Sequence, residues 1–215
     1  MSTNSTHSRI KRVLAGVIIA ILAMSAGIWA ARAVLQYKLA QNELDATRFP
    51  AAREIQPFAL TDHHNAVFDN NALKQRWSFL FFGYTHCPDV CPTTLSVLNS
   101  VAQRLQHLDE DIRFVFVSVD PERDTPEQLA RYVSYFNGDF IGVTGTPEGL
   151  EQLTKPLGIL HMRVAAEDGS SAYLVDHTAS VLLFDPDGRY HAVFGPPLSA
   201  DAIASDFRKM LKAYR

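Results

Sequence analysis

Two cysteines, Cys87 and Cys91, are the only thiols in this chain of 215 residues, and they stand four apart in Gly83-Tyr84-Thr85-His86-Cys87-Pro88-Asp89-Val90-Cys91-Pro92. That spacing puts two side chains on one face of a helix, with Cβ atoms about 5–6 Å apart. Two thiolates so placed suit either a soft metal ion or a reversible dithiol–disulfide couple. A helix N-terminus would favour the thiolate, the form that attacks disulfides and ligates metals. Dithiol redox motifs commonly keep two residues between their cysteines, whereas three lie between these.

A metal would need a further ligand, and histidine is the natural one beside thiolates. The chain offers His7, His63, His64, His86, His107, His161, His177 and His191. His86 adjoins Cys87 and a neighbour's ring points away from a metal held there, so at most it tunes the thiols from outside, as Asp89 could. His191 alternates with the apolar residues of a hairpin and reads as solvated. His177, in Tyr173-Leu174-Val175-Asp176-His177-Thr178, lies just before a core strand, where a loop could return to the cysteines. Spacing alone leaves open whether it is a ligand or a structural histidine. Two thiolates and one imidazole would suit Cu(I), whereas Zn(II) would want a fourth ligand. No Ser-His-Asp arrangement or phosphate-binding loop stands out, and Asp124 and Thr125 read as turn and cap residues.

The elements that must position these groups are legible. Trp77 to Gly83 is a buried strand delivering the cysteines, and the apolar stripe Leu95, Leu98, Val101, Leu105 marks the helix after them. Ile112 to Val119 is a second buried strand. Thr125-Pro126-Glu127 and Thr146-Pro147-Glu148 are helix starts, with proline at the first helical position. Gln56 to Leu60 and Ala66 to Phe68 read as a small hairpin, and Phe140 to Val143 as a short strand. Ser180 to Phe184 and Arg189 to Phe194 flank the turn Asp185-Pro186-Asp187-Gly188, and a last helix follows Leu198. Strands alternating with helices imply an α/β fold with a parallel core, to which the terminal hairpin adds antiparallel strands.

At the N-terminus, Val13 to Ala31 is a run of 19 residues without a charge, about 28 Å long as a helix and close to the bilayer core. Residues 1–12 are thus expected as a cytoplasmic tail, 13–35 as a transmembrane anchor and 36–55 as a stalk, ahead of a domain over 56–215. A cleaved signal peptide is the competing reading. The first 38 residues hold five positive charges and no negative one, yet the chain totals −3, so the remainder is distinctly acidic. Nucleic acid is an unsuitable partner for such a surface.

The stretch Gly83 to Thr93, then Asp120-Pro121-Glu122-Arg123-Asp124-Thr125-Pro126, then Tyr173 to Thr178 resembles, in order, the motifs of the Sco (SenC) family. The resemblance implies a thioredoxin-like domain behind a membrane anchor. It also implies one copper held by Cys87, Cys91 and His177, with Thr178 where many members have serine. The implied function is that of a metallochaperone for the dinuclear copper centre of cytochrome c oxidase, whose copper-bearing subunit, or another copper donor or acceptor protein, is the partner. Asp176 is then placed to orient His177. The short basic N-terminus points to a single-pass protein of a bacterial inner membrane with its domain in the periplasm. The alternative is a thiol–disulfide oxidoreductase acting on the oxidase's cysteines, with Cys87 attacking and Cys91 resolving. A peroxidase of the peroxiredoxin type is disfavoured.

Overall fold

The computed structural model describes residues 17–32, 44–165 and 173–214, and the chain divides into two units, 1–43 and 44–215. In the first, residues 17–32 form one helix, α1. Among the described residues no helix is long and apolar enough to cross a membrane. The described helix covers only part of the expected span over 13–35, whose ends, 13–16 and 33–35, lie outside the described residues, as does the tail 1–12.

In the second unit an eight-stranded sheet is built around Trp77–Gly83, here β4, all seven of whose residues are buried. A strand buried on both faces needs apolar residues without alternation, which Trp77-Ser78-Phe79-Leu80-Phe81-Phe82-Gly83 supplies. The strands are β1 (Thr47–Arg53), β2 (Ala59–Asp62), β3 (Val67–Asp69), β4, β5 (Ile112–Ser118), β6 (Ile141–Thr144), β9 (Val181–Phe184) and β10 (Tyr190–Phe194), ordered β1-β10-β9-β4-β5-β6-β2-β3. β4, β5 and β6 run parallel, as the helical crossovers between them require. β9 and β2 flank this trio antiparallel, and β10 and β3 extend it. This is the expected α/β thioredoxin-like architecture.

The helices are α2 (Val90–Leu105), α3 (Pro126–Phe136), α4 (Pro147–Leu157) and α5 (Ala200–Tyr214). Thr125 and Thr146 cap α3 and α4 as expected, each hydroxyl accepting from a backbone N–H three residues on. α5 lies on β4 through Phe207, whose ring meets Trp77 and Phe79 edge-on or tilted. Gly188, at φ +78°, closes the β9–β10 turn, and Asp185 Oδ1 accepts from the N–H groups of Asp187 and Arg189.

Three expectations change. Residues 44–55 are not stalk: β1 pairs with β10 at the edge of the sheet, and the N–H of buried Ala46 donates to Asp206 of α5. The polar, Ala-containing character of that segment reflects an edge strand with a largely exposed surface. His191 is buried rather than solvated, 5% exposed, because it packs edge-on against Trp77 beneath α5. The third change bears on the site. Between α4 and β9 the chain forms a separate two-stranded ribbon, β7 (His161–Ala165) and β8 (Tyr173–His177), whose register pairs His161 with His177 and Ala165 with Tyr173.

Candidate metal centre

β4 ends at Gly83, and the chain turns through Thr85 to Pro88 before α2 begins at Val90. Cys87 lies in that turn, partly exposed, and Cys91 in the first turn of α2, buried. Pro92 is tolerated there because N–H groups of a first helical turn have no intrahelical acceptor. One such orphan, the Cys91 N–H, points at the Cys87 sulfur at 3.5 Å. Glycine at 83 is a requirement of packing: a Cβ would stand 2.6 Å from Cys91 Sγ and 2.8 Å from the Phe116 ring.

His177, the last residue of β8, completes the group. Its Nε2 lies 3.3 Å from Cys91 Sγ, and the ligand atoms of Cys87, Cys91 and His177 all fall within 4.8 Å of one another. The ring is held edge-on against Phe81 and Tyr84, both centroids at 6.0 Å. Nδ1 is 3.2 Å from the Thr178 carbonyl oxygen. Donation from Nδ1–H to that carbonyl leaves the Nε2 lone pair facing the sulfurs, the tautomer a metal ligand needs. Burial lowers the His177 pKa below its ordinary value, so the ring is neutral at pH 7.

Burial governs the acidity of Cys91. Burial pushes the Cys91 thiol far up, and a backbone hydrogen bond from Tyr84 only partly opposes it. The expected thiolate-favouring effect of the helix N-terminus is overridden at Cys91, since desolvation of a buried charge outweighs a helix-end dipole. A soft cation that displaces the proton would reverse the balance.

The groups expected to tune the site stand elsewhere. His86 is exposed, its Nδ1 3.1 Å from Thr85 Oγ1 and 3.9 Å from Asp124, and it is not part of the Cys87–Cys91–His177 group. Exposed Asp89 precedes α2 without a side-chain capping bond, and its carboxylate accepts from Thr93 Oγ1 at 3.4 Å. Asp176 is exposed on the ribbon, and the Thr178 carbonyl takes the orienting role assigned to it. Thr178 also ties the ribbon's base: its hydroxyl accepts from Leu160 N–H at 3.0 Å and its own N–H donates to Leu160 O. Serine, with the same hydroxyl, would do likewise.

What sequence reasoning missed is the work of the Asp120–Thr125 turn. Asp124 is fully buried and accepts three hydrogen bonds: from Ser118 Oγ at 2.6 Å, from Thr85 N–H at 2.9 Å and from Thr85 Oγ1 at 2.7 Å. It clamps the cysteine loop to the end of β5. Asp120, also fully buried, accepts from Tyr173 O–H at 2.8 Å and from Arg123. In sequence Asp124 and Thr125 read as turn and cap residues; only long-range partners distinguish a clamp from a cap.

The SCO1/SenC family profile matches residues 46–212. An SCO2-like protein of Rickettsia prowazekii is 35% identical over 152 residues, covering 71% of this chain and 74% of that one. Among solved structures, Arabidopsis thaliana ScoI with copper bound superposes at a TM-score of 0.70 with 33% identity, covering 74% of this chain and 98% of that one. Bradyrhizobium japonicum ScoI with copper bound gives 0.64 and 35%, covering 73% and 99%. With fold, motif order and thiol–imidazole cluster in place, this chain belongs to the SCO1/SenC family.

Proposed function

We propose that the protein is a copper metallochaperone that carries one copper on Cys87, Cys91 and His177 and delivers it to the dinuclear copper centre of cytochrome c oxidase. One observation carries the reading: two thiols and one neutral imidazole converge within 4.8 Å at the mouth of a thioredoxin-like domain. Two soft sulfurs and one nitrogen suit Cu(I), and tetrahedral Zn(II) would lack a ligand. Support comes from the copper-bound relatives above. Each thiol surrenders its proton as its sulfur takes the metal, and His177 contributes the Nε2 lone pair. Cys87, the more exposed sulfur, is the one a partner's ligand reaches first. The oxidase's copper subunit, or another copper donor or acceptor, is the partner this reading requires.

The domain is proposed to work on the periplasmic side of a bacterial inner membrane, attached by the segment around α1. Cell fractionation of the full chain against residues 44–215 tests this; release of the full chain into the soluble fraction would end it. The copper reading is tested by stoichiometry and absorption, wild type against His177→Ala. One copper per chain with a sulfur-to-copper charge-transfer band in the Cu(II) form, strongly reduced in the variant, is expected. Unchanged binding in His177→Ala would remove the third ligand.

A second reading is favoured by the unequal exposure of the two thiols. As an oxidoreductase, the Cys87 thiolate would attack a partner disulfide, breaking its S–S bond and releasing one partner thiol. Cys91 would then attack Cys87 and release the second, leaving Cys87–Cys91 oxidised by two electrons. That chemistry does not need His177, so His177→Ala separates the readings.

A further inference from the structure

His177 is carried by a ribbon of two strands that forms a sheet apart from the main one. An isolated two-stranded ribbon is marginal in water, so its attachment to the domain decides where His177 sits. At its base the ribbon is tied by Thr178 and Leu160. Farther along, at Tyr173, the attachment is made by the β5–α3 turn. Arg123 donates through Nη1 to the Tyr173 carbonyl at 3.1 Å and through Nε to Asp120. Its guanidinium carbon lies 3.7 Å from the Tyr173 ring centroid and 5.5 Å from that of Tyr84. The Tyr173 hydroxyl closes the circuit onto Asp120 at 2.8 Å. Arg163, from the other strand, reaches Glu122 at 2.7 Å and also stacks on Tyr173.

We propose that Arg123 and Tyr173 form a latch that holds the ribbon down and thereby sets whether His177 reaches the copper, while Asp124 holds the cysteine loop independently. The proposal rests on the copper reading above and names the residues that position its third ligand. One turn fastens the two halves of the site through separate acids: Asp124 to the loop of Cys87, Asp120 to the ribbon of His177. With the latch open, the sulfurs stay where they are and the imidazole leaves. The dithiol form and the copper form would then differ by a ribbon position rather than by a rearrangement of the core. An arginine suits this role because its planar fork binds the carboxylate and the carbonyl together while its face stacks on tyrosine.

The test uses the full chain with Tyr173→Phe, which removes one hydroxyl, and Arg123→Lys, which keeps the charge and loses the fork. X-ray absorption of the Cu(I) forms counts sulfur and imidazole neighbours, competition titration reads affinity, and amide hydrogen exchange of the apo proteins reads the ribbon. Both variants are expected to keep two sulfurs, to lose imidazole scattering and to bind Cu(I) about tenfold more weakly. Their β8 amides are expected to exchange about tenfold faster than in the wild type. Wild-type imidazole scattering and affinity within twofold of wild type would overturn the latch. So would loss of sulfur ligation in a folded variant, since the turn would then act on the whole site. If wild-type protein binds no copper through these residues, the proposed function fails on its own. The apo exchange still decides the latch: faster exchange confined to the ribbon upholds it, and unchanged exchange overturns it.

Discussion

At the scale of single residues, Gly83 and Cys91 show how closely the donor set is fitted to the core. A methyl group at 83 would occupy the space of the Cys91 sulfur and the Phe116 ring. Gly83→Ala is therefore expected to cost about 1–3 kcal/mol of stability, the usual cost of overpacking, and to weaken copper binding beyond that by displacing the sulfur. Chemical denaturation and competition titration on the same preparation check both. Cys91 also sets the response to pH. Its thiol is held protonated by burial, so metal binding must expel a proton, and His177 stays neutral to below its ordinary 6.5. Copper affinity is expected to rise with pH across the neutral range, by up to about tenfold per unit for each proton released. A titration at several pH values showing no dependence would contradict deprotonated sulfur ligation.

At the scale of elements, the turn between β5 and α3 governs segments remote in sequence. Thr85 lies 39 positions before Asp124, and Tyr173 lies 53 after Asp120. Removing the Thr85 hydroxyl leaves a fully buried carboxylate short of one donor. Thr85→Val is expected to cost about 1–3 kcal/mol and to raise the exchange of the cysteine-loop amides while leaving those of β8 protected. Hydrogen exchange read segment by segment tests that separation. At the ribbon's base, Thr178→Ser should preserve copper affinity, because the hydroxyl that accepts from Leu160 is kept. Thr178→Ala should lower it.

At the scale of the molecule, the last helix closes over Trp77, where the buried His191 ring lies beside Tyr214 and 3.9 Å from Asp185. Neither His191 ring nitrogen has a hydrogen-bond partner among the described residues. Burial lowers its pKa below the ordinary 6.5. The unfolded chain thus takes up a proton here as pH falls through 6.5 while the folded chain resists it. Stability from this group is complete above that pH and is lost below it. His191→Phe is expected to flatten the acid side of the stability curve, measured by denaturant unfolding between pH 7 and 5. An unchanged slope would exclude His191 as its source.

Much of this protein could be read without coordinates. The seven residues of β4, the helix starts at Thr125 and Thr146 and the Asp185–Gly188 turn are local in cause, since burial on both faces, capping and positive φ each leave a mark within a few residues. The thiol pair was legible as a local motif at the start of a helix, although Cys87 lies in the turn before α2 and Cys91 alone stands on it. His177 was a candidate from its place before a core strand, but its role came from the resemblance, because spacing cannot say where a ribbon 86 residues beyond Cys91 will return. Residues 44–55 looked like a linker because an edge strand shows little apolar pattern of its own. His191 looked solvated because the helix that covers it comes later in the chain. The elevated Cys91 thiol, the Thr178 carbonyl at His177 Nδ1 and the two-sided grip of the Asp120–Thr125 turn belong to tertiary structure. Desolvation and long-range hydrogen bonds depend on which segments fold against one another, a property no short stretch of sequence contains.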